Sequence, residues 1–255
     1  MRLLPLVSLV VACAPRPPDA PEELNELVGY MYANTAEDDP APLEVGSVNL
    51  DVWLDERIDE TLEGYTVNNL TEEAINALGD GERDLTDLAG AAVGHESPHA
   101  IDTLVGTIIG TDPMLMFDSY VAFERTFDGD EECFMAGDCD WLESEVLASF
   151  DYVLMQVETH SRVQYRWVDT DLGRVYVERT WLREDAVVTS DLVEVEQQYY
   201  LRVIMPADEG AVSLQATWVV ARLIGDMPED AALNLLIDSM ETQAGKLDDF
   251  ITEGG

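Results

Sequence analysis

Apolar residues recur every third or fourth position in the first part of this 255-residue chain and at each end of it, and every second position across much of its later half. The first pattern predicts helices and the second predicts strands, because side chains repeat every 3.6 residues around a helix and alternate across a strand. From Pro21 to about Asn34, the residues Leu24, Leu27, Val28 and Met31 form one stripe. Glu22 and Glu23 stand in its first turn, where the helix dipole favours them. An acidic, proline-containing loop follows over 37–42. Residues 45–54 read as a strand, with Ser47, Asn49 and Asp51 on the wetter face and Val48, Leu50 and Trp53 supplying apolar contacts. Thr71 is an N-cap for a short helix that Gly79 ends. Residues 81–94 are rich in glycine and alanine and predict a further helical turn. Ser97-Pro98, a favoured N-cap and N1 pair, then opens a helix through about Ile109, with Ile101, Leu104, Val105 and Ile108 in register.

Beyond Leu115 the period changes to two. Strands are predicted over 120–127, 152–158, 162–168 and 174–183, the last two joined by a hairpin turn at Asp169–Gly173. Residues 192–205 alternate throughout, with Val193, Val195, Tyr199, Leu201, Val203 and Met205 on one face. In 211–223, Val212, Leu214, Ala216, Trp218 and Val220 share a face. A helix with Asp226 as cap and Pro228 in its first turn closes the chain. Its stripe runs Leu233, Leu236, Ile237, Met240, Ala244, Leu247 and Ile251. The fold class is therefore α+β: a curved antiparallel meander with N-terminal helices and a long C-terminal helix packed on it, a helix-grip arrangement. The segment from Arg222 through Gly225, Met227 and Pro228 to Ile237 resembles the sheet-to-helix passage of START-type lipid-transfer domains. That resemblance covers roughly the last 140 residues, while residues 22–95 have no counterpart in it. It implies a helix lying over a cavity and does not by itself imply a ligand.

The opening residues add an address. Arg2, the apolar run Leu3–Val11 and the small residues before Cys13 follow the grammar of a secretory signal, and the run is too short to span a bilayer. Val10-Val11-Ala12-Cys13 resembles the lipobox of bacterial lipoproteins. The resemblance implies removal of residues 1–12, acylation of the Cys13 thiol and a place in the bacterial cell envelope, with the outer membrane the expected site. An ordinary cleaved signal with a chance cysteine is the plainer alternative. Residues 13–21 would form the lipidated, proline-rich tether and residues 22–255 a single domain. Two or more acyl chains anchor a protein stably where one does not. With Cys13 set aside, Cys133 and Cys139 are left, with five residues between them, and in an oxidising compartment they predict a disulfide.

Charge narrows the partners. The formal net charge is −40, and Lys246 is the only lysine. A nucleic-acid partner is excluded for want of a basic surface, and anionic lipid headgroups would repel the chain, so membrane attachment falls to the acyl chains. A hydrophobic content of 47% argues for a packed core rather than disorder.

Three features carry candidate chemistry. His95-Glu96-Ser97-Pro98-His99 matches the H-E-x-x-H string of zinc hydrolases, but Pro98 breaks the helix on which both histidines would have to sit one turn apart. The bland reading is a loop capping the next helix. The run of acids over 128–145 could hold calcium, although its spacing matches no EF-hand. Arg179, Gln197, Trp218 and Arg222 lie in the apolar strand rows. They could orient a ligand headgroup within a cavity, or the arginines could simply pair with carboxylates near strand ends. No nucleophile elbow, phosphate loop or dinucleotide fingerprint is present. The reading is a non-enzymatic lipoprotein that holds an apolar ligand between the sheet and the C-terminal helix. Its rivals are an envelope scaffold without a pocket and a zinc hydrolase.

Overall fold

A computed structural model describes residues 19–81, 83–152, 155–189, 193–223 and 231–255. Two helices come first, α1 (Leu24–Asn34) and α2 (Ala41–Arg57), followed by β1 (Tyr65–Val67), α3 (Glu72–Asn76), β2 (Ala89–Ser97) and α4 (Ile101–Gly110). Then come β3 (Tyr120–Asp128), α5 (Glu131–Ala136), β4 (Trp141–Tyr152), β5 (Met155–Thr170), β6 (Gly173–Leu182) and the short β7 (Val187–Val188). The chain continues through β8 (Val193–Pro206) and β9 (Ala211–Leu223) into α6 (Ala231–Glu253). The strands form one antiparallel sheet in the order β1-β2-β9-β8-β6-β5-β4-β3, with β7 pairing with β5. Among the described residues, no helix is long and apolar enough to cross a membrane.

Several elements differ from the sequence pattern. The strand expected over 45–54 is the middle of α2. Its buried residues Leu43, Gly46, Ser47, Leu50, Trp53 and Leu54 are spaced by three or four, which is a helical stripe diluted by small residues. The helical turn expected in 81–94 is instead strand β2, whose small side chains admit close neighbours. Ser97 is the last residue of β2, and the next helix is capped at Ala100 and begins at Ile101. The strands expected over 152–158 and 162–168 are one 16-residue strand, β5. Strand β4 was hidden by its own acids: Leu142, Val146, Ala148 and Phe150 alternate with Glu143 and Glu145 in what reads as an acidic loop. The tether to residue 18, Cys13, Asp226 and Pro228 lie outside the described residues.

The two faces of the sheet differ in kind. On one, Val175, Val177 and Trp181 of β6, Tyr199–Met205 of β8 and Leu214–Val220 of β9 pack at alternate positions against α1 and α2. Leu24, Leu27, Val28, Met31 and Tyr32 of α1 are fully buried there. Each such side chain contributes roughly 1.5–3 kcal/mol on burial. Tyr32 meets Trp218 and Tyr199 edge-on, with ring centroids 5.6 and 6.2 Å apart. The opposite face carries α4, α5 and α6. Ile237 and Met240 of α6 press on Ala91 and Val93 of β2. Cys133 and Cys139 are joined in a disulfide that closes α5, and Phe134 from that helix stacks on Trp167.

Gly90 of β2 marks how tightly the first face is packed. A Cβ there would lie 2.4 Å from Trp218 Cδ1 and 2.7 Å from a Val67 methyl. Gly90→Ala should therefore destabilise the fold by about 1–3 kcal/mol through overpacking. Gly106→Ala on α4, where the nearest atom is 3.8 Å away, should be neutral or slightly stabilising. Urea denaturation of the two variants checks the contrast.

Candidate functional site

Alternation gives β5, β6, β8 and β9 a second row of side chains facing away from α1 and α2. Val163, Tyr165, Trp167, Tyr176 and Ile204 of this row pack with α4 and α5 in a second apolar cluster, and the rest of the row is not filled. Between it and α6 lies a cavity of about 660 Å³, within the usual range of small-molecule sites. Its apolar wall is supplied by Phe123, Val146, Ala148 and Phe150 from β3 and β4, and by Leu104 and Ile108 from α4. Leu236, Met240 and Ala244 of α6 close it from above.

The floor is polar in a stripe. Glu178 of β6 and Arg202 of β8 are register partners, with Arg202 Nη1 donating to Glu178 Oε2 at 3.2 Å. Tyr176 Oη donates to the same carboxylate oxygen at 3.0 Å. Tyr200 Oη donates to Gln215 Oε1 at 2.7 Å, and its ring lies 5.3 Å from the Arg202 guanidinium. Burial opposes the charge on Arg202. The oxygens of Tyr200, Glu178 and Tyr176 outweigh that effect and hold its pKa above the ordinary arginine value. Burial likewise raises the Tyr200 hydroxyl and pushes Tyr165, bonded to Ser144 Oγ at 2.8 Å, up to about 12. Arg202 and these tyrosines therefore keep their protons at neutral pH. They could orient the polar end of a largely apolar molecule.

The residues singled out from the sequence lie elsewhere. Arg179, Gln197 and Trp218 belong to the opposite rows, under the N-terminal helices. Arg179 Nε donates to Gln164 Oε1 at 2.6 Å and its Nη1 to the Tyr32 carbonyl at 3.0 Å. Gln197 Nε2 bonds to the Asp84 carbonyl and Trp218 Nε1 to the Asn68 carbonyl. The assignment of faces is thus the reverse of the expected one. The greasier rows fill the solid core, and the mixed rows, with Glu178, Thr180, Tyr200, Gln215 and Thr217, line the cavity. A register shift between Val195 and Gln197 puts Val195 in the cavity row rather than with Tyr199. Arg222 lies near the end of β9, in register with Glu194 of β8. The signal that marks the cavity face is a polar residue at alternate positions within strands too long and apolar to be surface.

His95 and Ser97 do reach the cavity, on one face of β2, with Glu96 on the other. His95 Nε2 meets Asp248 Oδ2 at 2.7 Å, and Ser97 Oγ donates to Asp248 Oδ1 at 2.6 Å. His99 Nε2 approaches the Asp248 carbonyl at 3.1 Å and Thr252 Oγ1 at 3.2 Å. A strand cannot put His95 and His99 one helical turn apart, and the segment instead fastens the far end of α6 to β2. The acids of 128–145 are also dispersed. Asp130 caps α5, Glu143 bonds Gln164 and Arg162, and Glu145 bonds Arg162, His160 and Arg183. Among the described residues, no group of three or more His, Cys, Asp or Glu is arranged to hold a metal.

The antiparallel order and the C-terminal helix over the sheet define an α+β helix-grip fold. No protein-family model matches the chain, and no curated protein matches it in sequence. Among solved structures, a START superfamily protein from Mycobacterium smegmatis is similar at 11% identity and a TM-score of 0.45, covering 66% of this chain and 99% of its own. A STAR-related lipid transfer protein from Xanthomonas axonopodis is similar at 10% identity and a TM-score of 0.40, covering 74% of this chain and 99% of its own. The fold assignment rests on the strand order and on α6 rather than on these overlaps.

Glu178 and Arg202 depend on each other. Glu178→Leu leaves a buried guanidinium without its carboxylate and should cost about 3–5 kcal/mol. Combining it with Arg202→Met should recover most of that loss, as measured by chemical denaturation of the single and double variants.

Proposed function

We propose that this protein is a lipid-anchored component of a bacterial cell envelope that holds one apolar ligand, tail against the aromatic wall and polar end on the floor, without catalysing a reaction on it. The observation that carries the reading is the cavity of about 660 Å³ beneath α6, apolar on its sides and polar in one stripe. An envelope scaffold with a solid interior would have no need to forgo so much burial, because apolar contacts missing from a cavity cost stability. A zinc hydrolase would need the histidines of 95–99 free for metal, whereas both are engaged with Asp248.

The anchor rests on the lipobox resemblance at Val10–Cys13. Only six residues, 14–19, separate Cys13 from Ala20, whose carbonyl, with that of Pro21, accepts from Asn49 Nδ2. An extended proline-rich tether of that length spans about 20 Å, so the cavity would be kept close to the bilayer. The formal net charge of −40 suits a protein that touches the membrane through acyl chains rather than through its body.

Thr180 lines the cavity, so a larger side chain there would extend into the open space and away from the opposite core. Mature protein purified from its host should yield a stoichiometric apolar compound to organic extraction and mass spectrometry, and Thr180→Trp should yield none while keeping its thermal midpoint. A clean extract from the wild type would overturn the ligand reading. Separately, Cys13→Ser should move the protein from the membrane to the soluble envelope fraction. Unchanged membrane retention would overturn the anchor.

A further inference from the structure

Four uncharged polar side chains on the cavity face of the sheet are left without a protein partner. Thr159 and Ser161 of β5, Thr180 of β6 and Gln198 of β8 all line the cavity. Among the described residues, none of these side chains hydrogen-bonds to a protein group, and none of their polar atoms is sealed from the cavity. They lie close together. Ser161 is in register with Leu182, two residues along β6 from Thr180. Tyr200, the register partner of Thr180, is two residues along β8 from Gln198. With strands about 4.8 Å apart and a two-residue step of about 6.7 Å, the patch spans roughly 10 by 13 Å.

The charged groups of the same lining are committed to protein partners. Glu178 and Arg202 bond each other at 3.2 Å. Asp248 meets His95 Nε2 with one carboxylate oxygen and accepts from Ser97 Oγ with the other. Arg125 Nη1 donates to the carbonyls of Ile108 and Ile109, and its Nε is sealed from the cavity. A charged head would therefore shed its water without finding an uncommitted counter-charge, which is costly. Hydroxyl and primary amide groups behave differently, because each both donates and accepts. Their complement is a head that does both, whereas an ester or a carboxylate only accepts. Such a head also returns the hydrogen bonds that water makes to these groups when no ligand is bound. One hydroxyl cannot reach across a patch of this size, but several on a small frame can.

We infer that the ligand is an uncharged amphiphile whose head carries two or more hydroxyl groups, of the glyceryl or glycosyl kind, and that Thr159, Ser161, Thr180 and Gln198 read that head. The inference rests on the cavity reading and names the chemistry of its occupant.

The test uses the delipidated protein and four probes that share a ten-carbon chain: 1-decanoylglycerol, decyl β-glucoside, methyl decanoate and decanoic acid. Each is titrated by calorimetry near pH 7.5. At least one of the two polyols should bind about tenfold or more tightly than both the ester and the acid, the size of two neutral hydrogen bonds. Which polyol does so identifies the head. Combining Ser161→Ala with Thr180→Val removes two hydroxyls at nearly constant volume and should cut that preference to about threefold or less. Damage to the fold or to the cavity's shape would instead weaken all four probes together. Tightest binding by the acid, equal affinities for all four, or a polyol preference that survives in the double variant would overturn the assignment and leave the cavity reading intact. Failure of all four to bind the wild type would overturn both. Should the double variant not fold, Gln198→Leu supplies the same comparison.

Discussion

A β-strand must send successive side chains to opposite faces, and that constraint organises this molecule. Strands β5, β8 and β9 run for 16, 14 and 13 residues, so each carries two long rows. One set of rows meets two helices and is filled to full burial by α1 and α2. The other meets α6, which lies along β2 and β9 and reaches α4, together with α4 and α5. Spanning from β3 to β2, these helices leave space that side chains do not occupy. The solid face supplies the apolar burial that lets the other face stay open.

The polar stripe on the open face follows from the same alternation. Glu178, Arg202, Tyr200 and Gln215 come from adjacent strands at matched register, and each satisfies another, which is the condition under which buried polar groups are tolerated. Arg125 departs from that condition at one atom, Nε, in a wall otherwise made of rings and aliphatic groups. The fold thus offers a molecule of the right shape an apolar bed and a hydrogen-bonding floor.

Much of the architecture was legible in the sequence. The α1 stripe, the hairpin at Asp169–Gly173, the long alternations of β8 and β9, the α6 stripe and the Cys133–Cys139 bridge all follow from periodicity and cysteine pairing. Helix α2 did not, since Gly46 and Ser47 occupy buried positions where a pattern search looks for large apolar residues. Strand β4 did not, since Glu143 and Glu145 serve Arg162 and Gln164 across the sheet rather than a metal. Apolar periodicity points to the wrong face for the cavity: a solid core demands the more apolar row, and a cavity tolerates Thr180, Thr217 and Gln215.

The sheet is solid on the side of α1 and α2 and open on the side of α6. Soaking crystals of the delipidated protein with a fatty acid brominated near its tail, and locating bromine by anomalous scattering, tests this difference directly. One bromine site is expected between the sheet and α6, bounded by Phe123, Ala148 and Phe150. Bromine on the opposite face, or a saturated soak with no ordered bromine beneath α6, would contradict it.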